Sequence, residues 1–139
     1  MKLIENYVYT QVRNALMSAY ENVDISAEYV ENPSVFPHVS FEMSDNITDA
    51  SSMTADNREF ASEQAFAVNI YTVSETKKSD AQAIAEVIDD VMMGLGFRRA
   101  LWMRTPNIDR NIYRLTLRYS GLVADAADGT ANHFKVIAR

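Results

Sequence analysis

The chain has 139 residues, of which 47% are hydrophobic and 23% charged, and its formal net charge is −6. A chain of this size and composition is predicted to form one soluble domain that buries about 70% of the surface its unfolded form exposes, without a disulfide or metal to stabilise it. The absence of cysteine excludes disulfide scaffolds, cysteine-ligated metal sites and cysteine nucleophiles, and the acidic balance argues against general nucleic-acid binding. No apolar run has the length of a membrane span, and the charged first residues are not typical of a secretory signal peptide.

The first predicted element is an amphipathic helix with one core-facing stripe. Its apolar residues recur at intervals of three and four: Ile4, Val8, Val12, Leu16 and Ala19. Two short alternating strands follow, over 25–30 and 38–43. Pro33 and Pro37 lie between them and predict a turn or an edge entry, because proline disrupts regular strand pairing.

Residues 44–58 are rich in Ser, Thr, Asp and Asn and show neither helical nor strand periodicity. A loop of this length inside a compact domain is usually functional or disordered. We therefore predict a long polar loop that becomes ordered on contact with a partner. Its candidate contact residues are Asp45, Asn46, Ile47, Asp49, Met53 and Asp56. A long hairpin with a projecting polar tip is the alternative.

The second half of the chain predicts a strand, a helix and two more strands. The strand covers 59–73, residues 77–80 open the helix, and Ser79 and Gln82 have the spacing of a capping box. The helix ends at Gly94 and Gly96, as expected for residues that tolerate the left-handed conformation. The last two strands cover 97–104 and 112–123, and the second has one apolar and one polar face.

The order helix–strands–helix–strands predicts an α+β fold. Its sheet is largely antiparallel, and the two main helices pack on one face of it. We predict that residues 1–124 form this single domain and that 125–139 are a flexible C-terminal tail or arm. The apolar stretch at 134–137 is the one part of the tail that can add an edge strand.

No signature of catalysis or cofactor binding occurs in the chain. Phosphate-binding glycine motifs, the GxSxG elbow and the HExxH motif are all absent. His38 is predicted to face solvent or a sheet neighbour, and Asp89 and Asp90 to be solvated charges on a helix. The prediction is a protein that is not an enzyme and that uses no catalytic residue, cofactor or metal.

Charge is distributed unevenly between two segments. Residues 42–63 hold six acidic residues against one arginine, whereas 97–118 hold six arginines against one aspartate. Neighbouring strands can pair such charges internally. Alternatively, the acidic face of one subunit meets the basic face of the next in a head-to-tail contact. The candidate interface residues are Glu59, Glu63, Arg99, Arg114 and Arg118.

Several phrases, together with the order of segments over residues 3–124, resemble the tail terminator (tail completion, or neck) proteins of long-tailed bacteriophages. The phrases are Pro33-Ser-Val-Phe-Pro-His-Val-Ser-Phe41, Phe66-Ala-Val-Asn-Ile-Tyr71, Gly96-Phe-Arg98, Thr105-Pro-Asn-Ile-Asp109, Ile112-Tyr-Arg114 and Arg118-Tyr-Ser-Gly121. They form a pattern and include no chemically diagnostic motif.

The resemblance implies a virion structural protein at the head–tail junction, assembled in the host cytoplasm. Such a protein forms a ring, in this family a homohexamer, on the finished tail tube. The ring ends tube polymerisation and presents the surface that joins the head connector. DNA passes through the central hole without specific binding. The implied partners are further copies of the chain, the tail tube protein and the head connector or stopper protein, with no role for a membrane.

Two other functions stay open at this stage. A head-completion or connector-stopper protein would share the ring but bind on the portal side. A small α+β ligand-binding domain would belong to another class, and would need a buried pocket with convergent polar groups.

Overall fold

The fold is described from a computed structural model, which describes residues 4–28, 33, 35–48, 61–107, 109–125 and 134–137. The helices are α1 (Glu5–Ala19) and α2 (Lys77–Leu95). The strands are β1 (Asp24–Ser26), β2 (His38–Thr48), β3 (Ala61–Thr72), β4 (Arg98–Thr105), β5 (Tyr113–Asp125) and β6 (Phe134–Ile137).

The strands form one six-stranded sheet in the order β1-β2-β3-β5-β4, with β6 also paired to β5. The pair β1–β2 is parallel and all the other pairs are antiparallel. Both helices contribute to a single core cluster with the alternate residues of β2, β3 and β5. The helices therefore cover one face of a largely antiparallel sheet, which confirms the predicted fold class.

The core follows the periodicity of the sequence. Val8, Val12 and Leu16 of α1 are completely buried, and so are Phe66, Val68 and Ile70 of β3. Ala19, predicted to lie on the same helical stripe, is exposed because it is the last residue of α1. Amphipathic periodicity of this kind places apolar side chains against the sheet and leaves the polar ones in water.

Helix α2 begins at the first residue of the predicted opening segment 77–80, three residues before the start that a cap at Ser79 would give. Lys77 is its first residue and Thr76 its N-cap, so the predicted capping box at Ser79 and Gln82 is wrong. The turn before the helix is bound to it through Asp80. The Asp80 carboxylate accepts hydrogen bonds from Ser74 Oγ at 2.6 Å and from Thr76 Oγ1 at 3.1 Å. Gly96 ends the helix at φ 102°, as predicted, whereas Gly94 lies inside it.

The predicted polar loop at 44–58 begins as a strand, so the loop prediction is wrong for residues 44–48. Residues 45–48 pair with residues 62–65 of β3. The register shifts between Met43 and Asp45, which makes Ser44 a bulge. A bulge inserts one residue and reverses the alternation, and this hides the strand from a periodicity search. The hairpin alternative holds for this part, and residues 49–58 lie outside the described residues.

The C-terminal stretch at 134–137 is strand β6, so this part of the predicted flexible tail is ordered against β5. Its partners are Leu122 to Asp125, and β6 lies on the same side of β5 as β4. Val136 approaches two glycines so closely that a Cβ at Gly121 would lie 2.6 Å from Val136 Cγ1, and one at Gly96 would lie 3.2 Å from Val136 Cβ. Glycine at both positions leaves the space that Val136 of β6 occupies.

Neither described helix is both long and apolar enough to cross a membrane.

Candidate functional site

The sheet face opposite the helices carries a polar network. Alternation along β2 and β3 places His38 and Ser40 opposite the core residues, and the strand register extends both rows across the sheet. His38, Tyr71 and Arg114 form one row, and Ser40, Asn69 and Thr116 form the next. Five of these six side chains are buried, the exception being Arg114, which is half-buried.

Asn69 is the central acceptor of this network. Its Oδ1 accepts hydrogen bonds from Arg114 Nε at 3.0 Å and Thr116 Oγ1 at 2.9 Å. Thr116 also contacts Thr105 through their hydroxyl oxygens at 2.6 Å, and the Arg114 guanidinium lies 5.6 Å from the centre of the Tyr71 ring. Buried hydrogen bonds of this kind restrict side chains to one arrangement, so Asn69, Arg114 and Thr116 hold one another in place. The Ser40 hydroxyl, in the same row, is buried without a hydrogen-bond partner among the described residues.

His38 joins strands β1 and β2. Its Nδ1 lies 2.8 Å from Asp24 Oδ2, and its Nε2 lies 3.4 Å from Ser26 Oγ. The three residue types are those of a hydrolase triad, in which the serine proton must pass to the imidazole. Here the Ser26 hydroxyl donates to the Glu28 carbonyl at 2.7 Å instead. These contacts link β1 to β2, and His38 lies against its sheet neighbours, as predicted.

A second polar cluster joins α2 to the core face of the sheet. Tyr119 is completely buried and donates its hydroxyl to Asp89 Oδ1 at 2.7 Å. Arg99 Nη1 lies 3.1 Å from the same carboxylate oxygen. Burial of the Tyr119 phenol, with Asp89 beside it, raises the pKa of Tyr119 far above its usual value. The expectation that Asp89 is a solvated charge is wrong, because its side chain is only 19% exposed.

The predicted interface charges have different surroundings. Arg99 pairs with Asp89 of α2, and Arg114 is bound to the polar network; both contacts are internal. Arg118 is exposed, and no hydrogen bond or ion pair joins it to any described residue. Glu63 is half-buried on β3, and Glu59 lies outside the described residues. Arg118 and Glu63 are therefore the charges whose surroundings leave room for a partner.

The predicted contact residues also fall into two groups. Asp45, Asn46 and Ile47 lie on β2, so their assignment to a loop is wrong. Their partners across the strand pair are Ala65, Gln64 and Glu63, respectively. Asp49, Met53 and Asp56 lie outside the described residues.

Sequence reasoning missed the roles of Asn69 and Tyr119. The sequence signal for Asn69 is an amide side chain in the middle of a strand of aliphatic residues. A buried amide at such a position requires a hydrogen-bond partner. The signal for Tyr119 is a hydroxyl on the apolar face of β5, since a buried tyrosine requires an acceptor. The identity of each partner depends on strand order, which the local pattern does not contain.

Small-molecule and metal chemistry have little basis in the described parts of the chain. A cavity of about 280 Å³ lies between the end of α1 and the start of α2, and is lined by Tyr20, Glu21, Asn22, Val23, Pro37, Asp80, Ala83 and Ile84. Asp80 is already bound to Ser74 and Thr76. No group of three metal-ligating side chains occurs among the described residues.

Comparison with known proteins shows a likeness in structure but not in sequence. No protein-family model matches the chain, and no curated protein matches its sequence. A chain in the virion of a native gene transfer agent particle shares the fold with a TM-score of 0.59 at 15% identity; the alignment covers 84% of this chain and 91% of the other. The gp17 protein of bacteriophage SPP1 aligns over 86% and 91% at 15% identity, but with a TM-score of 0.40 it adds nothing to the fold assignment.

Proposed function

We propose that this chain is a virion structural protein that caps the phage tail tube as a ring. The ring, a hexamer by the resemblance stated above, ends tube polymerisation and forms the surface that joins tail to head. Its partners are further copies of the chain, the tail tube protein and the head connector.

The observation that carries this proposal is the shared fold with a chain of a virion particle, which extends over most of both chains. The resemblance to tail terminator proteins rests on local sequence phrases and does not depend on the three-dimensional fold. Two lines of support therefore lead to the same class of protein.

The surface of the molecule is suited to assembly. Arg118 and Glu63 lie on the same face of the sheet, since Arg118 pairs with Ala67 and Glu63 lies four residues from Ala67 on β3. Exposed ion pairs contribute about 0–1 kcal/mol each and are screened by salt. A ring held partly by such pairs should be marginal in free solution and weakened by added salt.

The connector-stopper role is the second candidate within virion assembly, because it uses the same ring and differs only in the face that is bound. A ligand-binding role is less well supported. The cavity beside Asp80 is at the small end of the range for ligand sites, and its carboxylate is held by internal hydrogen bonds.

The test is a tube-length assay. Tail tube protein polymerises in the presence of increasing amounts of this chain, and tube lengths are measured by electron microscopy. The proposal expects shorter tubes that bear a ring at one end, and light scattering should give the mass of that ring. Tubes of unchanged length without end-bound protein would contradict tail termination, and binding to purified connector alone would favour the stopper role.

Charge reversal gives a sharper version of this assay. Arg118→Glu should weaken ring formation without unfolding the chain, since the Arg118 side chain is exposed and forms no hydrogen bond or ion pair with a described residue. Glu63→Lys in the partner subunits should restore assembly if the two charges pair between subunits. Arg110→Glu is the matched control, because Arg110 is also exposed but lies in the connection between β4 and β5. If the Arg118 variant assembled as well as the Arg110 variant, Arg118 would be a solvated charge without a role in assembly.

A further inference from the structure

The sheet has two edges that no described strand covers. β1 pairs with residues 38–40 of β2, which leaves the outer edge of residues 41–48 open among the described strands. At the other edge β4 pairs only with β5. Each open stretch is eight residues long, 41–48 on β2 and Arg98–Thr105 on β4. Open edges present unpaired N–H and C=O groups that can pair with another chain.

The two edges carry opposite charge. β4 contains Arg98, Arg99 and Arg104 without an acidic residue, although Arg99 is paired with Asp89 of α2, and residues 41–48 contain Glu42 and Asp45 without a basic one. Two β4 edges repel each other, as do two β2 edges, whereas β2 and β4 attract. β4 also exposes Met103, which is 48% accessible, so pairing would bury apolar surface. The charges disfavour a two-fold dimer through either edge and favour a head-to-tail contact.

We propose that the β4 edge of one subunit pairs with the open β2 edge of the next, so that the sheet continues from subunit to subunit. This deepens the proposed function, because it rests on ring formation and names the contact that builds the ring. In the sheet order β2-β3-β5-β4 every neighbouring pair is antiparallel, so β2 and β4 run in opposite directions. Subunits related by rotation about an axis along the strands therefore join β4 to β2 as an antiparallel pair.

Two constraints determine the register of this pairing. β1 occupies the edge of residues 38–40, so the last residue of β4 must lie beyond them. Paired residues must also point to the same face of the continuous sheet. By strand register, the positions in the rows of the polar face are Thr105, Met103 and Leu101 of β4 and Glu42, Asp45 and Ile47 of β2. The longest pairing that satisfies both conditions sets Thr105 opposite Glu42, Met103 opposite Asp45 and Leu101 opposite Ile47.

This register has the stagger that a closed sheet requires. Within one subunit Thr105 and His38 lie in the same row across the sheet, because Thr105 pairs with Arg114, Arg114 with Tyr71 and Tyr71 with His38. Pairing Thr105 with Glu42 therefore shifts the next subunit by four residues, about 13 Å, over four strand spacings of about 19 Å in total. These lengths correspond to a strand tilt of about 35°, and strands in closed barrels tilt by about 35–45°.

The experiment uses disulfide cross-linking of the full chain, which contains no native cysteine. Met103→Cys combined with Asp45→Cys places two thiols on directly opposed residues of neighbouring subunits. Their Cα atoms would lie about 5 Å apart, a separation that a disulfide can bridge. Within one subunit the two positions are three strand spacings apart, about 14 Å, so no internal disulfide can form. Met103→Cys with Met17→Cys is the control, since Met17 is exposed on α1.

We expect oxidation at an assembling concentration to give a ladder of covalent oligomers with the 103/45 pair and none with the 103/17 pair. Leu101→Cys with Ile47→Cys tests the same register if the first variant does not fold. Oligomers in light scattering without a ladder from either pair would overturn the edge contact while leaving the ring intact. A chain that stays monomeric even with tail tubes would overturn both. A ladder without an upper limit would support the edge contact and contradict a closed ring.

Discussion

The hydrogen bond between Tyr119 and Asp89 should contribute measurably to stability. Tyr119→Phe keeps the completely buried ring and removes only the hydroxyl that donates to Asp89 Oδ1 at 2.7 Å. Hydrogen bonds to charged groups contribute about 1.5–3 kcal/mol. Asp89 keeps Arg99 as a partner and is 19% exposed, so water replaces part of the lost bond. We therefore expect the variant to lose about 1–2 kcal/mol of unfolding free energy at pH 7.

The same substitution should change the response to alkaline pH. Burial, with Asp89 beside the hydroxyl, raises the pKa of Tyr119 in the folded chain well above its usual value of about 10. Above pH 10 the unfolded chain loses the phenolic proton and the folded chain keeps it. The stability that this group contributes is therefore complete below pH 10 and is lost as pH rises. The loss amounts to about 1.4 kcal/mol for each pH unit, and Tyr119→Phe should lack it.

Urea unfolding of both proteins at pH 7, 9, 10 and 11 measures the effect. The unfolding free energies of wild type and Tyr119→Phe should converge above pH 10. Tyr113→Phe is the control, because Tyr113 is half-buried and its hydroxyl bonds to no described residue. A constant difference between wild type and Tyr119→Phe from pH 9 to 11, or no loss at pH 7, would refute the reasoning.

Three further outcomes are expected. His38→Ala should destabilise the chain by about 2–4 kcal/mol, since it removes a buried cross-strand side chain. The folded variant should still cap tail tubes. Loss of a hydrolytic activity in the folded variant would contradict a purely structural role for His38. Deleting residues 49–56 removes none of the described β2–β3 pairs, so circular dichroism should show a folded chain. Capping in the tube-length assay should weaken. Capping equal to that of the full chain would show that the segment is a passive insertion. Gly121→Ala should lower the melting temperature, because the new Cβ would meet Val136 Cγ1 and Phe97. Val136→Ala should restore part of the loss, and an unchanged melting temperature for Gly121→Ala would show that β6 does not occupy the slot.

Local periodicity predicted most of the secondary structure. α1, α2, β3 and β5 were placed within two residues of their observed ends, because each has a long run of side chains with a single period. The predictions for 44–48 and for the N-cap of α2 were wrong for different reasons. A bulge reversed the alternation in β2, and Thr76 rather than Ser79 precedes the first helical residue.

The candidate site was harder to predict than the fold. Arg114 was identified as a charge that faces a neighbouring subunit, yet its guanidinium bonds to Asn69, which is 45 residues away in the chain. Asp89 was identified as solvated, yet it accepts from Tyr119 across 30 residues. The partner of Arg114 follows from which strands are neighbours, and the partner of Tyr119 follows from where α2 packs on the sheet. A single sequence contains the side-chain types but not the order of strands in the sheet.

The sequence by itself determined the class of fold and the absence of a recognisable catalytic motif. Both depend on local patterns: the spacing of apolar residues and the presence or absence of short motifs. The tertiary structure decided which charges are internal, where β6 docks and which edges of the sheet stay open. These properties depend on long-range register. A shift of one residue moves every side chain of a strand to the opposite face, so only the assembled sheet determines which residues a partner can reach.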